Sequence, residues 1–131
     1  MPYDMMTHPI DPTPTIVGEA AADMAAPALL AMKFDANGKL ALPAAGDVCI
    51  GVVLATAGPV VADGRIDIQI KDIGYWLAGA TVSKGALLMA DATGKAVTAS
   101  AGANAFAVAL ENGSAGLPVK VLICHTTLPE A

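Results

Sequence analysis

The chain has 131 residues, 55% of them hydrophobic, and a formal net charge of -5. Ala supplies 28 positions and Gly51, Gly58 and Pro59 interrupt the longest uncharged stretch near the middle, so the apolar content is not the run of about 20 residues that a membrane-spanning helix needs. Seven basic residues, spread singly, form no patch for phosphate contacts, which excludes nucleic acid as an expected partner, and the apolar content is too high for a wholly disordered chain.

Residues 1–27 read as an extended arm. Pro2, Pro9, Pro12 and Pro14 remove backbone donors and bias their neighbours to extended geometry. The start of the chain has neither a basic nor an apolar region of the secretory type, so no signal is expected. The composition of residues 20–26 favours at most two turns of helix before Pro27 stops it. The arm's apolar residues cannot build a core among prolines and acids. Ile10, Ile16 and Val17 are candidates for burial against a neighbouring protomer or a larger surface the protein binds, with Ile16-Val17 adding a strand to a neighbour's sheet edge, unless the arm is a passive tail.

Residues 28–131 read as a β-rich domain of short strands and tight turns. Asp35-Ala36-Asn37-Gly38 is a turn signal, residues 48–54 have the length of a buried strand, and Ile66, Ile68 and Ile70 alternate with polar residues as a half-buried strand does. Tyr75-Trp76-Leu77 and residues 119–124 are two further strands. Tyr75 and Trp76 point to opposite faces of theirs: we expect Trp76 in the core and Tyr75 outside, and both are candidate interface residues. The fold class expected is all-β, a small barrel or sandwich.

A shift of 56 residues lays the chain on itself. Asp35-Ala36-Asn37-Gly38-Lys39 falls on Asp91-Ala92-Thr93-Gly94-Lys95, Ala45-Gly46 on Ala101-Gly102, Val52 on Val108 and Leu54 on Leu110. The repeat is either a duplicated binding edge or one hairpin solution used twice in a single barrel. Turn chemistry favours the second, with Gly38 and Gly94 at positive φ.

The residues offer little chemistry. His8 and His125 are the only histidines, and no serine sits in a nucleophile elbow. Cys124-His125 supplies two of the three or four ligands zinc takes, and adjacent strand residues face apart. Asp63, Asp67 and Asp72 flank Arg65 and Lys71, as on a solvated face, and the glycines match no phosphate-binding loop. Cys49 and Cys124 are either two thiols in a reducing compartment or one bridge. Ala31-Met32-Lys33-Phe34 resembles the lysine hairpin of biotin carrier domains, with Phe34 in place of the second Met. That resemblance implies a carrier or small-molecule-binding barrel, the alternative reading. No enzyme, metal or cofactor is expected.

A broader resemblance covers residues 28–124. The stretch Gly79-Ala80-Thr81-Val82-Ser83-Lys84-Gly85-Ala86-Leu87-Leu88-Met89-Ala90-Asp91-Ala92-Thr93-Gly94-Lys95-Ala96-Val97 resembles the small decoration (cement) proteins of tailed-phage heads. Gly46-Asp47-Val48-Cys49-Ile50-Gly51-Val52-Val53, Ala105-Phe106-Ala107-Val108-Ala109-Leu110-Glu111 and the closing run from Leu117 to Ile123 extend it. The resemblance implies a β-rich virion protein, made in the host cytoplasm, that binds the major capsid protein on the outer surface of an icosahedral shell. It also implies a homotrimer.

Overall fold

The computed structural model describes residues 13–129. Among them there is no helix. The strands are β1 (Thr15–Glu19), β2 (Ala31–Phe34), β3 (Leu40–Ala41), β4 (Gly51–Val53), β5 (Arg65–Gln69), β6 (Ile73–Leu77), β7 (Leu87–Ala90), β8 (Ala96–Thr98), β9 (Asn104–Ala109) and β10 (Pro118–Thr127). They form two antiparallel five-stranded sheets, in the orders β1-β5-β4-β2-β3 and β6-β10-β9-β7-β8. Adding five to each label of the first order gives the second. The repeat is therefore a whole five-stranded unit, larger than a hairpin used twice in one barrel.

Each sheet curls until its edges meet. The residue after β1, Ala20, bridges Leu40 of β3 in parallel, and Ala78, after β6, bridges Ala96 of β8. Equivalent anti-parallel bridges, Met24 to Val60 and Val82 to Gly113, tie down the long loops. The backbone hand repeats too. Left-handed residues pair as Leu29 with Gly85, Gly38 with Gly94, Gly46 with Gly102, and Asp63 with Gly116. Asp72, also at positive φ, lies between β5 and β6 where one unit passes into the next. Gln69 holds that joint: its Nε2 donates to the carbonyls of Lys71 and Ile73, at 2.8 and 2.9 Å.

The alternating isoleucines behave as β5 requires. Ile66 and Ile68 are buried, and with Met32, Leu40, Val53 and Ala20 they fill the first barrel. The second barrel is filled around Trp76, Leu88, Val119 and Val121. Trp76 is fully buried and meets Phe106 edge to face, with ring centroids 5.3 Å apart. Side chains of that size contribute a few kcal/mol each by burial. At the position of Trp76 the first unit has Gly18, and at the position of Ala96 it has Leu40. A Cβ on Gly18 would come within 2.5 Å of Leu40 Cδ1. One unit thus fills its seam from β3 and the other from β6, with large and small residues exchanged.

Two expectations for the N-terminal part are corrected. Residues 20–26 are not helical: Ala20 N donates to Gly64 O, Ala21 N to Leu40 O and Met24 N to Val60 O, each at 2.8 Å. Sheet pairing supplies more than alanine's weak helix preference could. The boundary at residue 27 also moves. From Thr15 the chain is part of the first sheet, and Ile16 packs on the core that includes Ala20. The strand expected to reach a neighbour's edge completes its own unit instead.

Candidate functional site

The joint between the two units shows how this protein makes contacts. Leu29 O accepts from Leu77 N at 3.0 Å, and Ala31 N donates to Gly94 O at 2.8 Å. Trp76 Nε1 donates to the same Gly94 carbonyl, also at 2.8 Å. Residues 29–31 of the first unit therefore lie in the seam of the second, between β6 and the hairpin after β7. Behind them the outer face of the first sheet, carrying Ala31 and Val52, is buried in the same core as Trp76 and Phe106. A turn of the first unit adds Gly46 N to Ala90 O, 2.9 Å.

Each half of this contact has a counterpart that nothing among the described residues covers. The first unit's own seam is an open groove of about 540 Å³ lined by Val17, Glu19, Phe34, Gly38, Asp63 and Arg65. Val17 is 51% and Phe34 47% exposed. In β1 the bonds from Ala20 N to Gly64 O and from Ile70 N to Pro14 O set the ladder phase, which turns the N–H groups of Val17 and Glu19 away from β5 into this groove. The second unit's outer face carries Ile73, Leu122, Val108 and Leu87 in one cross-strand row over β6, β10, β9 and β7. Ile73 is 59% and Leu122 41% exposed, and Val108 and Leu87 are half-buried. The described part of the tail covers the far corner of this unit, where Leu128 N donates to Ala103 O and Gly102 N to Pro129 O.

The residues singled out in the sequence separate accordingly. Val17 and Tyr75 occupy equivalent positions of β1 and β6 and are both about half exposed. Ile16 is half-buried. Trp76 is core and offers no surface, because the seam of its barrel has no other large side chain to fill it. Ile10 and His8 lie outside the described residues. Sequence reasoning missed Phe34, Glu19 and the Leu87-Val108-Leu122 row; the four apolar residues carry no local mark of exposure, and the charge of Glu19 marks it as solvent-facing without showing that it borders a groove.

Several of the remaining polar groups are spent on structure. Lys33 lies in β2, before the hairpin tip, and its Nζ donates to Asp47 Oδ2 at 2.7 Å. That bond and the Ala44 N–H hold the Asp47 carboxyl below the usual range. Asp35 Oδ1 accepts from Asn37 N and Lys39 N, and Asp91 Oδ1 from Thr93 N and Lys95 N. Lys39 Nζ pairs with Asp63 Oδ1, which raises the lysine above its ordinary value. Both cysteines are free; burial, with the Asp47 charge, pushes the Cys49 thiol up to about 12. A cavity of about 210 Å³ at the joint is lined by Cys49, Asn104, Phe106 and His125. Asn104 Nδ2 is bound to Gly46 O, and His125 packs on Phe106 at 5.1 Å. Among the described residues no three His, Cys, Asp or Glu side chains converge as metal ligands.

The sequence matches no family model and no curated protein. The fold does match a solved structure, the N base of the head fiber protein gp8.5 of bacteriophage phi29. The TM-score is 0.65 with 19% identity, over 87% of this chain and 96% of that one. The two share a fold. The likeness spans both five-stranded units, since either alone is far less than 87% of the chain.

Proposed function

We propose that the protein is a structural component of a tailed-phage virion that binds the outer surface of the icosahedral head through the major capsid protein and stabilises it. The observation that carries this reading is the match of nearly the whole chain to the base of a phage head fiber. The decoration-protein resemblance of residues 28–124 supports it independently. On this reading the protein is made in the host cytoplasm, works as a homotrimer and acts without enzymatic chemistry or a cofactor. Identical protomers bound to a symmetric shell gain avidity because each attachment raises the effective concentration of the next. The exposed Val17, Phe34, Ile73 and Leu122 give such a protein apolar contact area.

Purified protein added to heads that lack it is the test. The expected result is saturable co-sedimentation and a higher temperature of head disruption. Heads that neither retain the protein nor gain stability contradict the reading.

A further inference from the structure

We infer that the open seam of the first unit receives the uncovered face of the second unit of another copy, repeating between chains the contact made once within the chain. The inference deepens the proposal that the protein works as a homo-oligomer and rests on it only for that self-association.

The argument starts from equivalence. Within the chain, residues 27–31 and the outer face behind them enter the second seam. Their equivalents in the second unit are residues 83–87 and the Leu87-Val108-Leu122 row. The two turns share their internal bonds. Leu30 N donates to Pro27 O as Ala86 N does to Ser83 O, and Leu29 N donates to Val53 O as Gly85 N does to Ala109 O. The same shape is therefore presented twice, once buried and once exposed. The receiving edge is duplicated as well. Glu19 is the equivalent of Leu77, and its N–H faces the open groove where the Leu77 N–H meets Leu29 O.

The side chains have changed together. In the buried contact Leu77 receives the segment that carries Ala28. In the open pair Glu19 stands in place of Leu77, and Lys84 in place of Ala28. Both are exposed. Two apolar residues at the buried joint are matched by an acid and a base on the two surfaces that the described residues leave uncovered, with Val17 and Phe34 supplying apolar area beside Glu19. Asp63 in the groove is paired with Lys39, whereas Glu19, opposite Arg65 in the ladder and near Lys39, makes no ion pair among the described residues, which leaves its carboxylate open to an incoming lysine. A contact that joins different surfaces of two copies is heterologous, and such contacts close into rings or run on as filaments. Ring closure at three chains is the trimer proposed above.

The experiment uses the full chain in the absence of heads, with mass measured by sedimentation at micromolar concentration and folding followed by Trp76 fluorescence. Wild type is expected to sediment as more than one chain. Lys84→Glu and Glu19→Lys, each folded, are expected to associate roughly tenfold or more weakly, because each sets like charges against each other. The Lys84→Glu/Glu19→Lys double variant is expected to regain the wild-type mass. Three results overturn the inference: wild type that stays a single chain, single variants that associate as wild type does, or a double variant as weak as the singles. Loss of the oligomer on deleting residues 2–12, with Lys84→Glu unaffected, also overturns it and gives the seam to the N-terminal segment. Heads added afterwards report on capsid binding separately, so failure of that reading leaves this result standing.

Discussion

The hairpins that follow β2 and β7 carry the same D-A-x-G-K pattern, the same carboxylate bonds and the same left-handed glycine, yet they do different work. Gly38 at the first tip would meet nothing within 4 Å if it gained a Cβ. Gly94 at the second would meet Ala31 O at 2.9 Å and Leu30 Cβ at 3.3 Å. The first hairpin stands in solvent and the second is clamped in the joint between the units. Local sequence sets the turn, and position in the assembly of units sets what the turn is worth.

The largest effect expected comes from the exchanged seam residues. Trp76→Ala removes the second unit's main filler and its bond to Gly94 O, and should cost about 3–5 kcal/mol in chemical denaturation. Adding Ala96→Leu recreates the Leu40 solution of the first unit and should return part of that loss. No recovery would show that the two seams are not equivalent.

Next come the glycines. Gly38→Ala should cost about 1–2 kcal/mol, the penalty for left-handed backbone alone. Gly94→Ala adds crowding against Ala31 O, for a total of about 2–5 kcal/mol. Equal melting shifts for the two variants would remove the distinction between a free and a clamped hairpin.

A smaller effect separates the carboxylates. Burial pushes the Asp91 carboxyl up, but the Thr93 hydroxyl, the Lys95 and Thr93 N–H groups and the Lys95 charge together hold it below the usual range. The folded state thus binds a proton less readily than the unfolded one. The stability this gives is present above the ordinary carboxylate value of about 3.9 and is lost as pH falls below it. Asp91→Ala should lose about 1–3 kcal/mol at neutral pH and flatten the acid limb of the stability profile, more than Asp35→Ala does in the solvated hairpin. The smallest effect is chemical. Cys124, half-buried, should react with thiol reagents at pH 8 well before Cys49, which is 2% exposed and protonated there. Equal labelling rates would mean that the joint opens freely.

Part of this was legible in the residues. The shift of 56 shows where D-A-x-G-K recurs, because turn chemistry constrains Asp, Gly and Lys directly. It does not show that β1 recurs as β6 or β5 as β10. Those pairs are 58 and 53 residues apart, since the second unit's loops are shorter, and an ungapped comparison passes over them. Gly18 and Trp76 share no chemistry, and only packing reveals that each answers the residue across its seam. Nothing local told that Thr15–Glu19 would find its partner strand 46 or more residues later, in Arg65–Gln69. The two free surfaces were invisible for the same reason. They are defined by what covers their equivalents.

Amide hydrogen exchange at Leu77 and Glu19 tests the duplicated architecture most directly. The two occupy the same place in β6 and β1, one bonded across the joint to Leu29 O and the other facing the open groove. At dilutions where single chains prevail, Leu77, with Ala31, should exchange only on global unfolding, while Glu19 exchanges by local opening and far faster. If Leu77 exchanges as fast as Glu19, the first unit does not fill the second unit's seam and the account of the joint is wrong.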